Sequence, residues 1–206
     1  MKKVEIYGLS KPQDGRKTNE DSFLIIRGET PVVVLCDGAG NAEQTAKKTI
    51  KLFHSMLLKA TPDDFMSFQK WKTWVNQLDS SLLGGHQTTF TALVVLENRI
   101  VGVNVGDNRV YRFGSDGKVT ILTHSASKKR LGSGEIQPLP IHEQMQSKEI
   151  ISVMSDGAWG PLSIQKVTSL FRQRLKIHQA DLPEKFLQEA GRYGRCDDMT
   201  VVNIYF

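Results

Sequence analysis

Glu20–Asp21, Asp37, Asp107, Asp156 and Asp197–Asp198 are the side chains on which chemistry could rest. Each stands where an apolar run begins or stops, and Asp37, Asp107 and Asp156 are next to a glycine. One Asp–Gly at a strand end is an ordinary turn. Five such positions in 206 residues point to strand ends converging on one place. Carboxylates gathered in this way repel each other and call for a cation between them. An all-oxygen donor set suits hard ions such as Mg2+ or Mn2+ rather than zinc. His54, His86, His124, His142 and His178 show no ligand spacing that would argue otherwise. Arg16, four residues before Glu20, adds a guanidinium able to clasp two phosphate oxygens. Acids with one arginine make a recipe for phosphoester hydrolysis by two metal ions that share a carboxylate and activate water.

These residues need rigid elements behind them. Pro31 to Cys36 is apolar almost throughout and predicts a buried strand that presents Asp37 at its tip, with Gly38 and Gly40 leaving the backbone open to close approach. Strands are also predicted over Lys3–Leu9, Ser22–Arg27, Thr88–Leu96, Ile100–Val105, Arg109–Phe113, Lys118–Leu122, Glu149–Met154 and Met199–Phe206. The tight connections between 96 and 118, Gly106–Asp107–Asn108 among them, predict an antiparallel meander. A helix capped by Asn41 carries Ala46, Ile50, Phe53 and Leu57 on one face. A second helix, opening at Thr61–Pro62–Asp63–Asp64, buries Phe68, Trp71, Val75, Leu78 and Leu82. Helices follow over Ser163–Leu175 and Glu184–Tyr193. Ser125 to Glu143 is polar and aperiodic and reads as a long loop.

Length fits a single domain, 1–206, with a substantial core. No apolar run approaches the roughly 20 residues of a membrane span. MKKVEIYGLS has no apolar signal-peptide core, so a cytoplasmic location is expected. Cys36 and Cys196 fit no zinc spacing and are expected to be reduced and mostly buried. Each directly precedes a candidate ligand, so converging strand ends would bring the thiols near each other. The net charge of +5 favours anionic partners, nucleic acid or phosphorylated protein. Its small clusters, Lys128–Lys129–Arg130 included, read as solvated surface, and no nucleic-acid module signature occurs. Nucleotide-loop and other hydrolase motifs are absent as well.

Taken in order, RKTNEDS (16–22), VVLCDGAG (33–40), TTFTALVV (88–95), VGDNRVYRF (105–113), SDGAW (155–159) and CDDMTVV (196–202) resemble the PPM family, the metal-dependent (type 2C) protein serine/threonine phosphatases, in a compact bacterial-like form. The likeness spans nearly the whole chain. It implies an α+β fold, a four-layer α-β-β-α sandwich of two antiparallel sheets flanked by helices. It also implies hydrolysis of phosphoserine and phosphothreonine in proteins, by direct attack of a water bridging two Mg2+ or Mn2+ ions and without a phosphoenzyme. Asp37 would bridge both ions and Gly38 would offer its carbonyl. Glu20 would serve one ion, and Asp156 and Asp197 the other. Asp21 would bind metal-bound water, and Arg16 the substrate phosphate. The implied partners are a phosphorylated protein substrate and a cognate serine/threonine kinase, and the chain would act as a monomer.

Departures from the family pattern narrow these expectations. Gly160 replaces an Asp that, with Asp107 and Asp156, holds a third ion in some members. A third ion is therefore expected to bind weakly or not at all, which leaves Asp107 a structural role. Ala39 stands where other members carry a histidine general acid, with His124 and His142 as distant substitutes. Asp198 replaces a usual Asn. These changes leave open a catalytically weak or dead binding module of the same fold. A nucleic-acid-binding protein is the third reading of the positive charge.

Overall fold

The protein is described by a computed structural model over residues 4–40, 42–194 and 196–206. Strand β1 (Glu5–Lys11) leads through a polar loop to β2 (Ser22–Ile26), which pairs antiparallel with β3 (Val32–Cys36). The two-residue strand β4 (Gly38–Ala39) follows directly. In α1 (Glu43–Leu57), Ala46 and Phe53 are buried on the expected face. The proposed cap, Asn41, lies outside the described residues. Where one helix is expected from 61 to 82 there are two, α2 (Pro62–Met66) and α3 (Phe68–Ser80). Ser67 divides them: its backbone is extended at φ −95°, ψ 106°, and its hydroxyl accepts the Lys70 N–H as the N-cap of α3. The aromatic stripe does enter the core, where Phe53 meets Trp71 at 5.9 Å and Phe90 at 5.0 Å.

Strands β5 (Gln87–Thr88), β6 (Phe90–Leu96), β7 (Arg99–Val105), β8 (Arg109–Phe113) and β9 (Val119–Ile121) come next. Two expectations fail in this half. Gly106–Asp107–Asn108 is not a hairpin turn, because β7 and β8 belong to different sheets. Gly106 adopts φ +95°, open to glycine without strain, and the chain crosses there from one sheet to the other. The predicted loop 125–143 also contains most of a strand, β10 (Leu139–Gln144), paired with β7. Leu139 and Ile141 point inward while Pro140 and His142 are exposed. The alternation was masked by Pro140, which an edge strand tolerates because its missing N–H is not needed.

After β11 (Ile150–Met154) the acidic turn is one helical turn, α4 (Asp156–Trp159). Then come α5 (Ile164–Arg172), two 3-10 turns at Gln173–Leu175 and Gln179–Asp181, α6 (Leu182–Gly191) and β12 (Met199–Tyr205). Among the described residues ten strands form two five-stranded antiparallel sheets, ordered β1-β12-β11-β8-β9 and β10-β7-β6-β3-β2, and β4 pairs with β5 beside them. Three apolar layers hold them. Val34, Phe53, Trp71, Leu78 and Phe90 fill the space between the second sheet and α1 and α3. Val33, Leu93, Val153 and Val202 lie between the sheets. Phe113, Phe171, Phe186 and Val201 join the first sheet to α5 and α6. Each fully buried apolar side chain contributes roughly 1.5–3 kcal/mol. This is the four-layer α-β-β-α sandwich of an α+β protein. None of the described helices is long and apolar enough to cross a membrane.

Gly102 sits where β7 faces β6 and β10, and a Cβ there would run into the carbonyl of Ala92. Gly102→Ala is expected to destabilise the protein by about 2 kcal/mol or more, since backbone must move. Chemical denaturation reads this directly, and an unchanged midpoint would contradict the tight pairing.

Candidate metal centre

Asp37 directly follows β3, and its main chain is fixed by three hydrogen bonds. Its N–H donates to Thr89 Oγ1 at 2.8 Å, and its carbonyl accepts from Thr89 N–H at 2.8 Å and Thr88 Oγ1 at 2.9 Å. Gly38 follows in a space that admits no side chain. A Cβ there would lie 2.9 Å from the Glu20 carbonyl and 3.0 Å from Ala42. The Gly38 N–H bonds that same Glu20 carbonyl, so the end of β3 is tied to the loop that precedes β2.

That loop carries Arg16, Glu20 and Asp21. Arg16 is exposed and its Nη1 donates to Glu20 Oε1 at 2.8 Å. Glu20 and Asp21 are buried. Asp21 Oδ2 accepts from Ser155 Oγ at 2.7 Å and Thr200 Oγ1 at 2.6 Å, which fixes its orientation. Asp198 was read from the sequence as an extra acid of uncertain effect. It is buried, and its carboxylate accepts the Gln13 and Glu20 N–H groups, so it pins both ends of the Arg16 loop. Asp197 is exposed, with Oδ1 accepting the Asp198 N–H at 2.8 Å. Asp156 opens α4 beside Gly157, where a Cβ would run into the Asp198 carbonyl. Asp107 lies at the crossover, its carbonyl held by Trp159 Nε1 at 3.1 Å.

The acids sense one another. Burial, then the charges of Asp21 and Asp156, push the Asp37 pKa up to about 10. Burial is also the main cause for Asp21, raised to about 7 against the hydrogen bonds of Thr200 and Ser155, with Asp198 and Asp156 adding to the rise. Asp197 is raised by burial, with further contributions from Asp156 and Asp198. Among the described residues, no group of three or more acidic, histidine or cysteine side chains stands as a preformed metal cage. The donor chemistry nevertheless fits divalent cations. Asp21 Oδ1, Asp37 Oδ2 and Asp156 Oδ1 are buried oxygens without a hydrogen-bond partner among the described residues. A cation would satisfy such oxygens and relieve the repulsion between them.

Two residues depart from their expected setting. Arg130 was grouped with Lys128 and Lys129 as solvated surface. Instead its Nη2 lies 3.4 Å from Asp107 Oδ1 and 4.0 Å from Asp156 Oδ2. No spacing in the sequence signals this, because Arg130 is brought in by the fold of a segment read as loop. Cys196 was expected to be mostly buried, but it is exposed on the loop before β12, while Cys36 is buried and both thiols are free. His124 and His142 are both exposed.

An open groove of about 560 Å³ runs past the acids, lined by Asp107, Lys128, Asp156, Trp159, Tyr193 and Asp197 among others. Arg109 stacks its guanidinium 3.4 Å from the Trp159 ring centroid and stiffens one wall. A larger cavity of about 730 Å³, lined by Glu5, Tyr7, Arg27, Glu29 and Glu97 among others, holds none of the candidate ligands.

The raised carboxyls give the metal-free protein a definite pH response. Asp21 and Asp37 rise from an ordinary 3.8 to about 7 and about 10 on folding. Over that window the folded chain binds more protons than the unfolded one, so stability falls as pH rises, by up to ~1.4 kcal/mol per pH unit for each proton. In chelator, the melting temperature is expected to drop from about pH 5 to about pH 8, and millimolar Mn2+ is expected to flatten that slope. A melting temperature that climbs across the window contradicts a cluster of buried, mutually repelling carboxyls.

No protein-family model and no curated protein matches the sequence. Solved structures do match. A serine/threonine phosphatase of S. agalactiae superposes with a TM-score of 0.83 at 19% identity, over 98% of this chain and 99% of the other. The Mycobacterium tuberculosis phosphatase PstP gives 0.81 at 22%, over 98% of each chain. The PstP catalytic domain solved with two manganese ions gives 0.81 at 22%, over 98% and 97%. A Staphylococcus aureus serine/threonine phosphatase gives 0.85 at 17%, over 98% and 95%. The motifs and the superpositions point the same way: this chain has the fold of those bacterial serine/threonine phosphatases.

Proposed function

We propose that the chain is a metal-dependent protein serine/threonine phosphatase acting as one catalytic unit. The observation that carries this reading is the set of buried, unpartnered oxygens on Asp21, Asp37 and Asp156, gathered where two sheets meet in this fold. A structural neighbour, PstP, is described with two manganese ions, which supports the same metal requirement for this chain.

Asp37, the Gly38 carbonyl and Glu20 on one side, with Asp156 and Asp197 on the other, would hold two Mg2+ or Mn2+ ions. When bound, such ions supply Lewis-acid polarisation and a water activated for in-line attack on phosphorus. The residues of the chain do the rest. Asp21 is held by Ser155 and Thr200 with Oδ1 free, and can accept a hydrogen bond from water at the cluster. Arg16 is exposed at the rim, and its guanidinium can leave Glu20 for two phosphate oxygens. Asp198 keeps that loop in place without being a ligand. The groove is open, so an extended phosphopeptide can enter it, and Trp159 and Tyr193 offer flat apolar surface beside the acids. Ala39 brings no proton donor, so the departing serine or threonine oxygen takes its proton from water.

The fitting substrate is a phosphorylated protein, which supposes a serine/threonine kinase acting on the same sites. A phosphopeptide assay tests the proposal. Phosphate release is expected to require Mn2+ or Mg2+, to stop with chelator, and to fall by at least about 100-fold in Asp37→Ala, as expected when charge stabilisation is lost. Arg16→Ala is expected to raise KM more than it lowers kcat. Turnover that persists in Asp37→Ala would overturn the site. An inert wild-type protein that still captures phosphopeptides would favour a binding module.

A further inference from the structure

Arg130 enters the carboxylate cluster from a segment fixed on both sides. Its neighbour Leu131 is fully buried and bridges Thr88 through two backbone hydrogen bonds, of 2.9 and 3.2 Å. Thr88 is the residue whose hydroxyl holds the Asp37 carbonyl. On the other side, the Gly132 N–H donates to buried Asp79 at 2.7 Å. The backbone therefore delivers Arg130 to the edge of the cluster in a set position relative to Asp37.

At that edge the guanidinium is within ion-pair reach of two acids, Asp107 and Asp156. Nη2 lies 3.4 and 3.5 Å from the oxygens of Asp107 and 4.0 Å from Asp156. Residue 160 is glycine, and a Cβ there would lie 2.7 Å from the Asp156 carbonyl oxygen, so the backbone is closed to a further side chain. Arg130 Nε is buried without a partner among the described residues, so the head group is held by its attraction to the two carboxylates. Burial disfavours its charge, but Asp107, Asp37 and Asp156 outweigh burial and keep it cationic.

We infer that Arg130 is a built-in cation of the Asp107–Asp156 edge, and that its guanidinium takes a position a further divalent ion could otherwise occupy. This inference rests on the two-ion reading given above. A guanidinium cannot leave by diffusion and does not depend on metal supply, so one of the edge's two negative charges stays compensated at any metal concentration. A divalent ion approaching the same two carboxylates meets a fixed positive charge a few ångströms away and is repelled. Arg130 is in this sense a positioning residue, keeping Asp107 and Asp156 partly compensated and Asp156 turned toward Asp37.

Counting bound Mn2+ on the whole chain by equilibrium dialysis and calorimetry tests the inference independently of turnover. Wild type is expected to bind two ions per chain up to millimolar Mn2+. Arg130→Ala and the closer-shaped Arg130→Gln are expected to bind a third, weaker ion, and Arg130→Lys, which keeps the charge, to return the count to two. Adding Asp107→Asn to Arg130→Gln is expected to remove the third ion. Thermal melts in chelator show which variants are folded, and either neutral variant suffices. Two ions with unchanged affinities in a folded neutral variant would overturn the role of Arg130 while leaving the two-ion centre standing. Three ions in wild type would overturn it as well. No ions in wild type would instead remove the two-ion reading, and the inference with it.

Discussion

Asp21 and Asp37 are each only 5% exposed and stand at the ends of paired strands. Strand β2 pairs with β3 so that Ser22 faces Cys36, and one further step in that register sets Asp21 against Asp37. Like charges placed opposite each other across a pair of strands are destabilising, and burial makes the repulsion worse. Cys36 sits among the same charges, its thiol pushed up by burial first and then by Asp21 and Asp37. A fold that only needed a turn here would gain by replacing either acid with a neutral residue. The local penalty is explicable if the site binds a cation strongly, because binding energy returns what burial removed.

The rest of the molecule keeps this arrangement from relaxing. Ser155 and Thr200 lie on neighbouring segments of the first sheet and are bonded to each other through the Thr200 N–H and Ser155 Oγ at 2.9 Å. Together they clamp Asp21 from one sheet while β3 presents Asp37 from the other. The crossover at Gly106 is held in the same way. Asn104 donates to the Gly106 carbonyl at 2.9 Å, Thr91 donates to Asn104 at 2.6 Å, and Asn108 donates to Thr91 at 3.0 Å. A buried polar network of this kind, in which Asn108 Oδ1 is left without a partner among the described residues, ties the crossover to β6. The threonines of TTFTALVV are thereby explained as braces for Asp37 and Asp107.

Element types were largely legible because apolar runs and helical stripes are local signals. The run from Pro31 to Cys36 was read as a buried strand and is β3, and the helices read over Ser163–Leu175 and Glu184–Tyr193 are α5 and α6 at their cores. Errors arose where a distant partner decides the outcome. Strand β10 exists because β7 offers an edge, and nothing near Pro140 announces it. Gly106–Asp107–Asn108 looks like a hairpin turn because sequence does not say that its two strands lie in different sheets. The acids of the candidate site could be found because they share one visible context, a strand end. Arg130 has no such context. Its placement follows from Leu131 pairing with Thr88, a contact 43 positions apart in the chain. Asp198 was visible, but its binding to the Gln13 and Glu20 N–H groups depends on a loop nearly the whole chain away.

Charge balance gives a reason for the two arginines to differ in kind. Glu20, Asp21, Asp37, Asp107, Asp156, Asp197 and Asp198 are seven acids, and Arg16 and Arg130 are two bases, a formal excess of five negative charges. Two divalent ions would reduce that excess to one, and a third would reverse it. Asp198 is already committed to two backbone N–H groups, and Asp107 to Arg130, so neither is free to hold an ion without losing a structural contact. Arg16 is different. It is exposed, its loop is pinned from below by Asp198, and its single ion pair with Glu20 is at the surface end of the cluster. Only the Arg16 half of that pair is open to solvent, Glu20 being buried, so the guanidinium can turn to another anion. One guanidinium is therefore fixed by buried backbone and belongs to the frame, while the other is exposed at the rim and suited to meet an incoming phosphate.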